Sequence, residues 1–276
     1  MVTPYMREAM YRYIDKNCQY TLGAIQHLIK IDFDGVHISL QTISRHLLGI
    51  LYSIFAEKLI QHQHAGDYIV YFDETNYNMY CHRSVGHANK GDHAATVLLP
   101  SNGSNLQVQC AVSAEEGLVF HRLERDSIKM EKYATFVDEV YNAVKRSATW
   151  CNNFVGKNVV IVFDNAPAHS QTEERVVMHD DLVLLRLGPY SPMLNPIESC
   201  FSVFKAKIKN YLADLTDLMF QRREYPSYLE SRMRLLKAAA HECLPCITRS
   251  LVVREAMFCQ RNVEKALRLE DMCYGK

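Results

Sequence analysis

The 276-residue chain lacks any apolar run that could cross a bilayer. Its longest, Tyr68–Phe72 and Val159–Phe163, are strand-length, against the roughly 20 residues a spanning helix needs. It also lacks net charge, with 31 Lys+Arg against 31 Asp+Glu, so the global balance points to no nucleic-acid partner. There is no low-complexity tract and no internal repeat, which excludes a solenoid or a mainly disordered chain. Glycine (11) and proline (8) are too sparse for a linker-dominated protein. The nine cysteines are odd in number and follow no interval, which suits reduced thiols rather than a disulfide framework. A zinc ribbon needs two CxxC pairs, and Cys243-Leu-Pro-Cys246 stands alone, so core thiols are the better reading. No HxxxH occurs, and the one HxH, His62-Gln-His64, lies in a polar run upstream of the acidic strand ends; a zinc hydrolase is therefore disfavoured. Arg7, Glu8, Arg12 and Asp15 interrupt any apolar stretch near the N-terminus, so no secretory signal is expected. Asn102-Gly-Ser104 then reads as a turn rather than a glycosylation site. An intracellular location is the expectation.

What is present is unevenly placed. Residues 199–276 carry 14 Lys+Arg against 9 Asp+Glu, a net of +5 that leaves −5 on the rest. Residues 1–60 read as helical. Pro4 suits a first turn, Thr21 can cap a second helix with Leu22, Ile25, Leu28 and Ile29 on one face, and Ser39 can cap a third from Leu40. In that third helix Leu40, Ile43 and Leu47 are expected inside, with Gln41, Thr42, Arg45 and His46 outside. Two short helices, a glycine turn at Asp32-Phe-Asp-Gly35 and a polar-faced third helix fit a helix-turn-helix. A plain helical cap on the next domain fits equally well.

From Asp67 the period changes to two. Strands are expected at Tyr68–Phe72, Ala94–Leu99, Leu106–Val112 and Gly117–Leu123, with a turn at Ser101–Ser104. A helix over Met130–Thr149, a strand Val159–Phe163, a helix Gln171–Met178, a strand Leu182–Leu187 and a helix Pro196–Leu212 follow. Antiparallel strands succeeded by alternating helix and strand describe an α/β mixed sheet flanked by helices. Residues 215–276 read as helical, broken at Pro226 and Pro245.

Three acids stand out. Asp73 and Asp164 each close an apolar strand, the end at which ligands collect in sheets with helical crossovers. Either could equally be a turn-capping residue. Glu198 sits in the first turn of a helix capped by Asn195, where a capping box is the bland explanation. At 100° per residue, Ile197, Phe201, Phe204, Ile208 and Tyr211 make one apolar stripe, and Glu198, Ser202, Lys205 and Lys209 make the stripe beside it. A carboxylate with two lysines on one face suits a metal site next to a phosphate backbone. Oxygen-rich carboxylate sets select Mg²⁺ or Mn²⁺. Two such ions about 4 Å apart can clamp both oxygens of an in-line phosphoryl displacement.

Three blocks, Phe72-Asp-Glu-Thr75, Phe163-Asp-Asn-Ala-Pro-Ala-His169 and Pro189-Tyr-Ser-Pro-Met-Leu-Asn-Pro-Ile-Glu198, resemble the catalytic blocks of the mariner-like DDE transposases. They stand in the family's order, and the 33 residues between Asp164 and Glu198 come within one of its usual spacing. Thr42-Ile-Ser-Arg-His-Leu47 resembles its end-binding helix-turn-helix. The resemblance implies a ribonuclease-H-like fold in which Asp73, Asp164 and Glu198 bind two Mg²⁺ or Mn²⁺ ions. It implies cleavage of double-stranded DNA at transposon ends, then attack of a 3′-hydroxyl on target DNA, by a homodimer acting in the nucleus of a eukaryote. Glu74, Asn165 and His169 match positions near the site and are expected to orient it. The implied division is a helix-turn-helix region over 1–60, a catalytic domain over 67–212 and a helical extension over 213–276. The chain departs from the family pattern in lacking a second N-terminal helix-turn-helix and in placing only 24 residues between Leu48 and Asp73. Read as a short linker, that stretch limits reach between DNA ends. A transposase-derived DNA-binding protein without catalysis, and a ribonuclease-H-like nuclease without strand transfer, remain the rival readings.

Overall fold

The computed structural model describes residues 2–16, 20–79, 105–125, 128, 130–164, 175–177, 179–270 and 272. The expected strand Ala94–Leu99, the turn 101–104, Asn165, His169 and most of the helix 171–178 lie outside these residues. Three helices lead: α1 (Pro4–Lys16), α2 (Leu22–Asp32) and α3 (Leu40–Ala65). The caps are those read from sequence, with Thr21 accepting from the Ala24 amide and Ser39 from the Thr42 amide. Ala9, Met10, Tyr13, Ile25, Ile29, Ile43, Leu47 and Ile50 make their shared core. Leu40, expected inside, faces solvent at 44% exposed, and Leu22 at the start of α2 is exposed too. Each is the first residue of its helix.

The structure corrects the reading of a short linker. Residues 49–65 continue α3 without a break, giving a 26-residue helix that stops at Gly66 in the left-handed region (φ 70°). Its first half belongs to the N-terminal core; Tyr52, Phe55, Ala56 and Leu59 of its second half belong to the core of the sheet. The end is tied down. His62 Nδ1 lies 2.8 Å from Asp67 Oδ2, Asp67 Oδ1 accepts the Asn158 amide at 3.0 Å, and Lys157 Nζ donates to Ala65 O at 2.7 Å. The His62-Gln-His64 run is thus the last turn of a helix.

Five strands form one mixed sheet: β1 (Tyr68–Tyr77), β2 (Leu106–Ser113), β3 (Gly117–Glu124), β4 (Val159–Phe163) and β5 (Leu182–Arg186), in the order β3-β2-β1-β4-β5. The first three pair antiparallel, and β1-β4 and β4-β5 are parallel. Helices α4 (Met130–Arg146) and α5 (Ala148–Asn153) cover one face, over Tyr68, Val70, Phe72, Ile161 and Phe163. The expected single helix 130–149 divides because Ser147 leaves helical geometry to cap α5, accepting from the Trp150 amide. The other face carries α6 (Pro196–Asp214), α7 (Tyr228–Cys243), α8 (Arg249–Leu267) and the second half of α3. Fully buried side chains such as Phe72, Phe136, Phe163 and Phe204 each contribute about 2–3 kcal/mol of transfer energy. Cys243 is buried in this core and Cys246 partly so. Among the described residues, no helix is long and apolar enough to cross a membrane.

Candidate active site

Alternation along β1 sorts its side chains. Tyr71 and Tyr77 point to the α6 face, and Phe72 to the α4 face, so Asp73 faces α6. Asp73 lies mid-strand rather than at the strand end expected from sequence, because β1 runs on to Tyr77 in pairing with β2. The parallel register matches Tyr68 to Val159 through Tyr71 to Val162. Carried two residues further, it sets Asp164 beside Asp73 on the same face. Glu198 descends onto them from the first turn of α6, whose stripe of Ile197, Phe201, Phe204 and Ile208 is buried as its periodicity requires.

The electrostatics agree with this convergence. Asp73 is only 7% exposed, and its carboxyl is held well above the usual range by burial first, then by the charges of Glu198, Glu74 and Asp164. Glu198 is also raised, by burial foremost, while Lys205 opposes the shift and Asp164 adds to it. The two carboxyls share a hydrogen bond. Among the described residues, no three acidic, His or Cys side chains are already gathered around a point that could hold an ion, although the charges of the acids act on one another. Their mutual repulsion is the firmer guide, because side-chain rotation changes ligand geometry at little cost while strand register fixes the backbones.

Asn195, at the cap position of α6, makes no side-chain cap bond; instead its Nδ2 donates to Asp73 Oδ2 at 3.1 Å. Its own Oδ1 is buried without a hydrogen-bond partner. The capping-box reading of Glu198 fails too, since the Asn195 amide is already given to Pro192 O at 3.2 Å. Glu74 sits on the opposite face of β1 and accepts from the Tyr133 hydroxyl of α4 at 2.5 Å. Gln109, its partner across β2, is fully buried. Sequence reading missed Asn195, Tyr133 and Gln109 as neighbours of the acids; only Asn195 carried a signal, its place inside the third block.

Lys205 is half-buried near Glu198 and Lys209 is exposed. Gln41 and Arg45 are exposed, and Thr42 and His46 half-exposed, on the first half of α3. Thr42 is partly committed to the helix cap through Ser39 Oγ at 2.9 Å. Gln41, Arg45 and His46 line a cleft whose far wall includes Met193, from the turn that precedes Glu198.

A sequence profile described as DDE superfamily endonuclease matches residues 68–219. The chain belongs to the DDE endonuclease superfamily. The matched segment runs from β1 through α6, so all three acids fall within the family's domain. No curated protein matches the chain in sequence. Solved structures with the same architecture include a pre-cleavage Mos1 transpososome, at 15% identity and TM-score 0.56 over 100% of this chain and 82% of that one. A Mos1 transposase paired-end complex with left transposon end aligns at 15% identity and TM-score 0.54, over 97% and 80%. The Mos1 catalytic domain with raltegravir and Mg aligns at 15% and 0.53, over 87% and 100%. At these identities the likeness is one of fold, and the fold of this superfamily member is ribonuclease-H-like with a helical C-terminal region.

Proposed function

We propose that this family member is a mariner-like DDE transposase that cuts DNA at transposon ends and joins it to target DNA with two Mg²⁺ or Mn²⁺ ions. The observation that supports the reading is that the charges of Asp73, Asp164 and Glu198 act on one another, with the Asp73 and Glu198 carboxyls pushed above their usual range by burial first and by neighbouring acids. A hard, oxygen-only donor set whose members repel one another fits a divalent cation, and Asn195 Oδ1 adds a buried acceptor without a partner. Bound there, such ions would sharpen the attacking oxygen and stabilise the leaving one. Asp73, Asp164 and Glu198 would hold them, with Asn195 fixing the Asp73 rotamer. Glu74, held by Tyr133, supports the strand from behind. Asn165 and His169, outside the described residues, would orient substrate from the segment after Asp164.

Double-stranded DNA is the proposed partner, with residues 1–60 reading it, 67–212 cutting it and 213–276 bracing the core, in a homodimer. The place of action would be intracellular, the nucleus in a eukaryote. The solved Mos1 structures include paired-end and strand-transfer complexes, which supports DNA joining as the outcome. The test is nicking of supercoiled plasmid by the full chain with Mn²⁺; no cleavage above an EDTA control overturns the reading.

Arg45 tests the reading helix. Arg45→Ala should weaken binding of the element's terminal repeats by about 5- to 150-fold, the value of one guanidinium contact to guanine at roughly 1–3 kcal/mol. Gel-shift titration at low salt measures it. Unchanged affinity would leave α1–α3 as a structural cap.

A further inference from the structure

The segment Gly188–Asn195, which delivers Glu198, is pinned from outside the sheet. The Tyr52 hydroxyl, on α3, donates to Pro189 O at 2.8 Å and reaches Tyr190 O at 3.2 Å. Its ring lies so close to Gly188 that a Cβ there would meet Cδ1 at 2.5 Å. Tyr190 is held at φ 53°, a left-handed geometry that a non-glycine residue adopts only under constraint. Its side chain is 89% exposed, so the constraint acts on its backbone. On the other side Asn262 of α8, itself buried, donates Nδ2 to Met193 O at 3.2 Å.

From these anchors a run of short bonds leads to the acids. Ser191 Oγ donates to Gly188 O at 2.5 Å, the Leu194 amide to Ser191 O at 3.0 Å, the Asn195 amide to Pro192 O at 3.2 Å and the Glu198 amide to Asn195 O at 3.3 Å. Asn195 then reaches Asp73. The run thus connects both anchors, bond by bond, to Glu198 and Asp73.

We propose that Tyr52 and Asn262 are positioning residues for the carboxylate site: α3 and α8 together fix the segment that sets Glu198 and Asn195 against Asp73. Helix α3 thereby joins the N-terminal helices mechanically to the third carboxylate. The inference rests on the metal-dependent reading of the site. Tyr52→Phe keeps the ring against Gly188 and removes only the donor, and Asn262→Ala removes the second anchor.

The experiment measures Mn²⁺ binding to the full chain by electron paramagnetic resonance of free Mn²⁺, beside the Mn²⁺ dependence of plasmid nicking. Each variant should bind Mn²⁺ about three- to tenfold more weakly, with half-maximal nicking shifted by the same factor; this is at or just below the range expected when a ligand's supporting bond is lost. Affinity for duplex DNA should not change, kcat should fall, and Tm should move by no more than about 4 °C, the size of one lost hydrogen bond. Wild-type Mn²⁺ affinity and rate in both variants would overturn the positioning role while leaving the carboxylate site intact. Failure of the unmutated chain to bind Mn²⁺ would instead overturn the carboxylate site, and the inference with it.

Discussion

Asp73→Asn, Asp164→Asn and Glu198→Gln should each remove metal-dependent cleavage, by about 100-fold or more, while the chain stays folded. Losing one charged ligand removes several kcal/mol of transition-state stabilisation, yet the amide keeps the shape. A second, opposite effect separates this from misfolding. The Asp73 carboxyl is raised by burial first, then by Glu198, Glu74 and Asp164. A carboxyl raised in the fold contributes stability that is complete below its unfolded pKa and is lost as pH climbs through the folded value. Without divalent ions, the unmutated chain should therefore lose stability from the ordinary carboxylate range upward. Asp73→Asn has no such loss, so at neutral pH in EDTA its Tm should exceed that of the parent by a few degrees. Added Mg²⁺ or Mn²⁺ should close or invert the gap. Melting curves across pH, with and without EDTA, measure this beside the cleavage assay. Cleavage at parental rates by all three variants would remove these acids from the chemistry.

Gly117→Ala should be the most damaging small change in the described fold, costing about 3 kcal/mol and roughly 10 °C in Tm. Gly117 opens β3 at φ 90°, and a Cβ there would lie 2.6 Å from the Arg249 amide nitrogen and 2.9 Å from the Thr248 carbonyl carbon. Both are backbone atoms at the start of α8, so nothing can swing aside. Gly156 supplies the control, with φ 84° and nothing within 4 Å of the place a Cβ would occupy; Gly156→Ala should show the conformational cost alone, about 1–2 kcal/mol. If denaturation finds the two substitutions equal, close docking of α8 on β3 contributes nothing.

Much of the fold is legible in the sequence because local rules govern it. Val159–Phe163 is an uninterrupted apolar strand buried on both faces, and its limits are plain. Ser39, Thr21 and the α6 stripe announce themselves through caps and period. What escapes depends on distant partners. Asn195 looks like a helix cap until β1 brings Asp73 within 3.1 Å. That residues 49–65 form one continuous rod escapes because the polar run Gln61–His64 masks the end of a helix whose inner face packs on two separate cores. The run of β1 past Asp73 follows from pairing with β2, a long-range event that a hydrophobic run ending at Phe72 does not disclose.

The unbroken α3 makes the molecule a gauge. At 1.5 Å per residue, its 26 residues span about 39 Å. Ile50 is seated in one core and Tyr52 in the other, so no slack separates them. One residue inserted at Leu51 would advance the N-terminal helices by only about 1.5 Å but swing them through about 100°. Gln41 and Arg45 would then face away from any duplex they had met before. About seven residues, two turns, would nearly restore the phase while adding roughly 10 Å, some three base pairs of duplex. On the proposed reading, the interval between the DNA contacted by these helices and the bond cut would lengthen in evolution by turns of helix, and hardly at all by single residues.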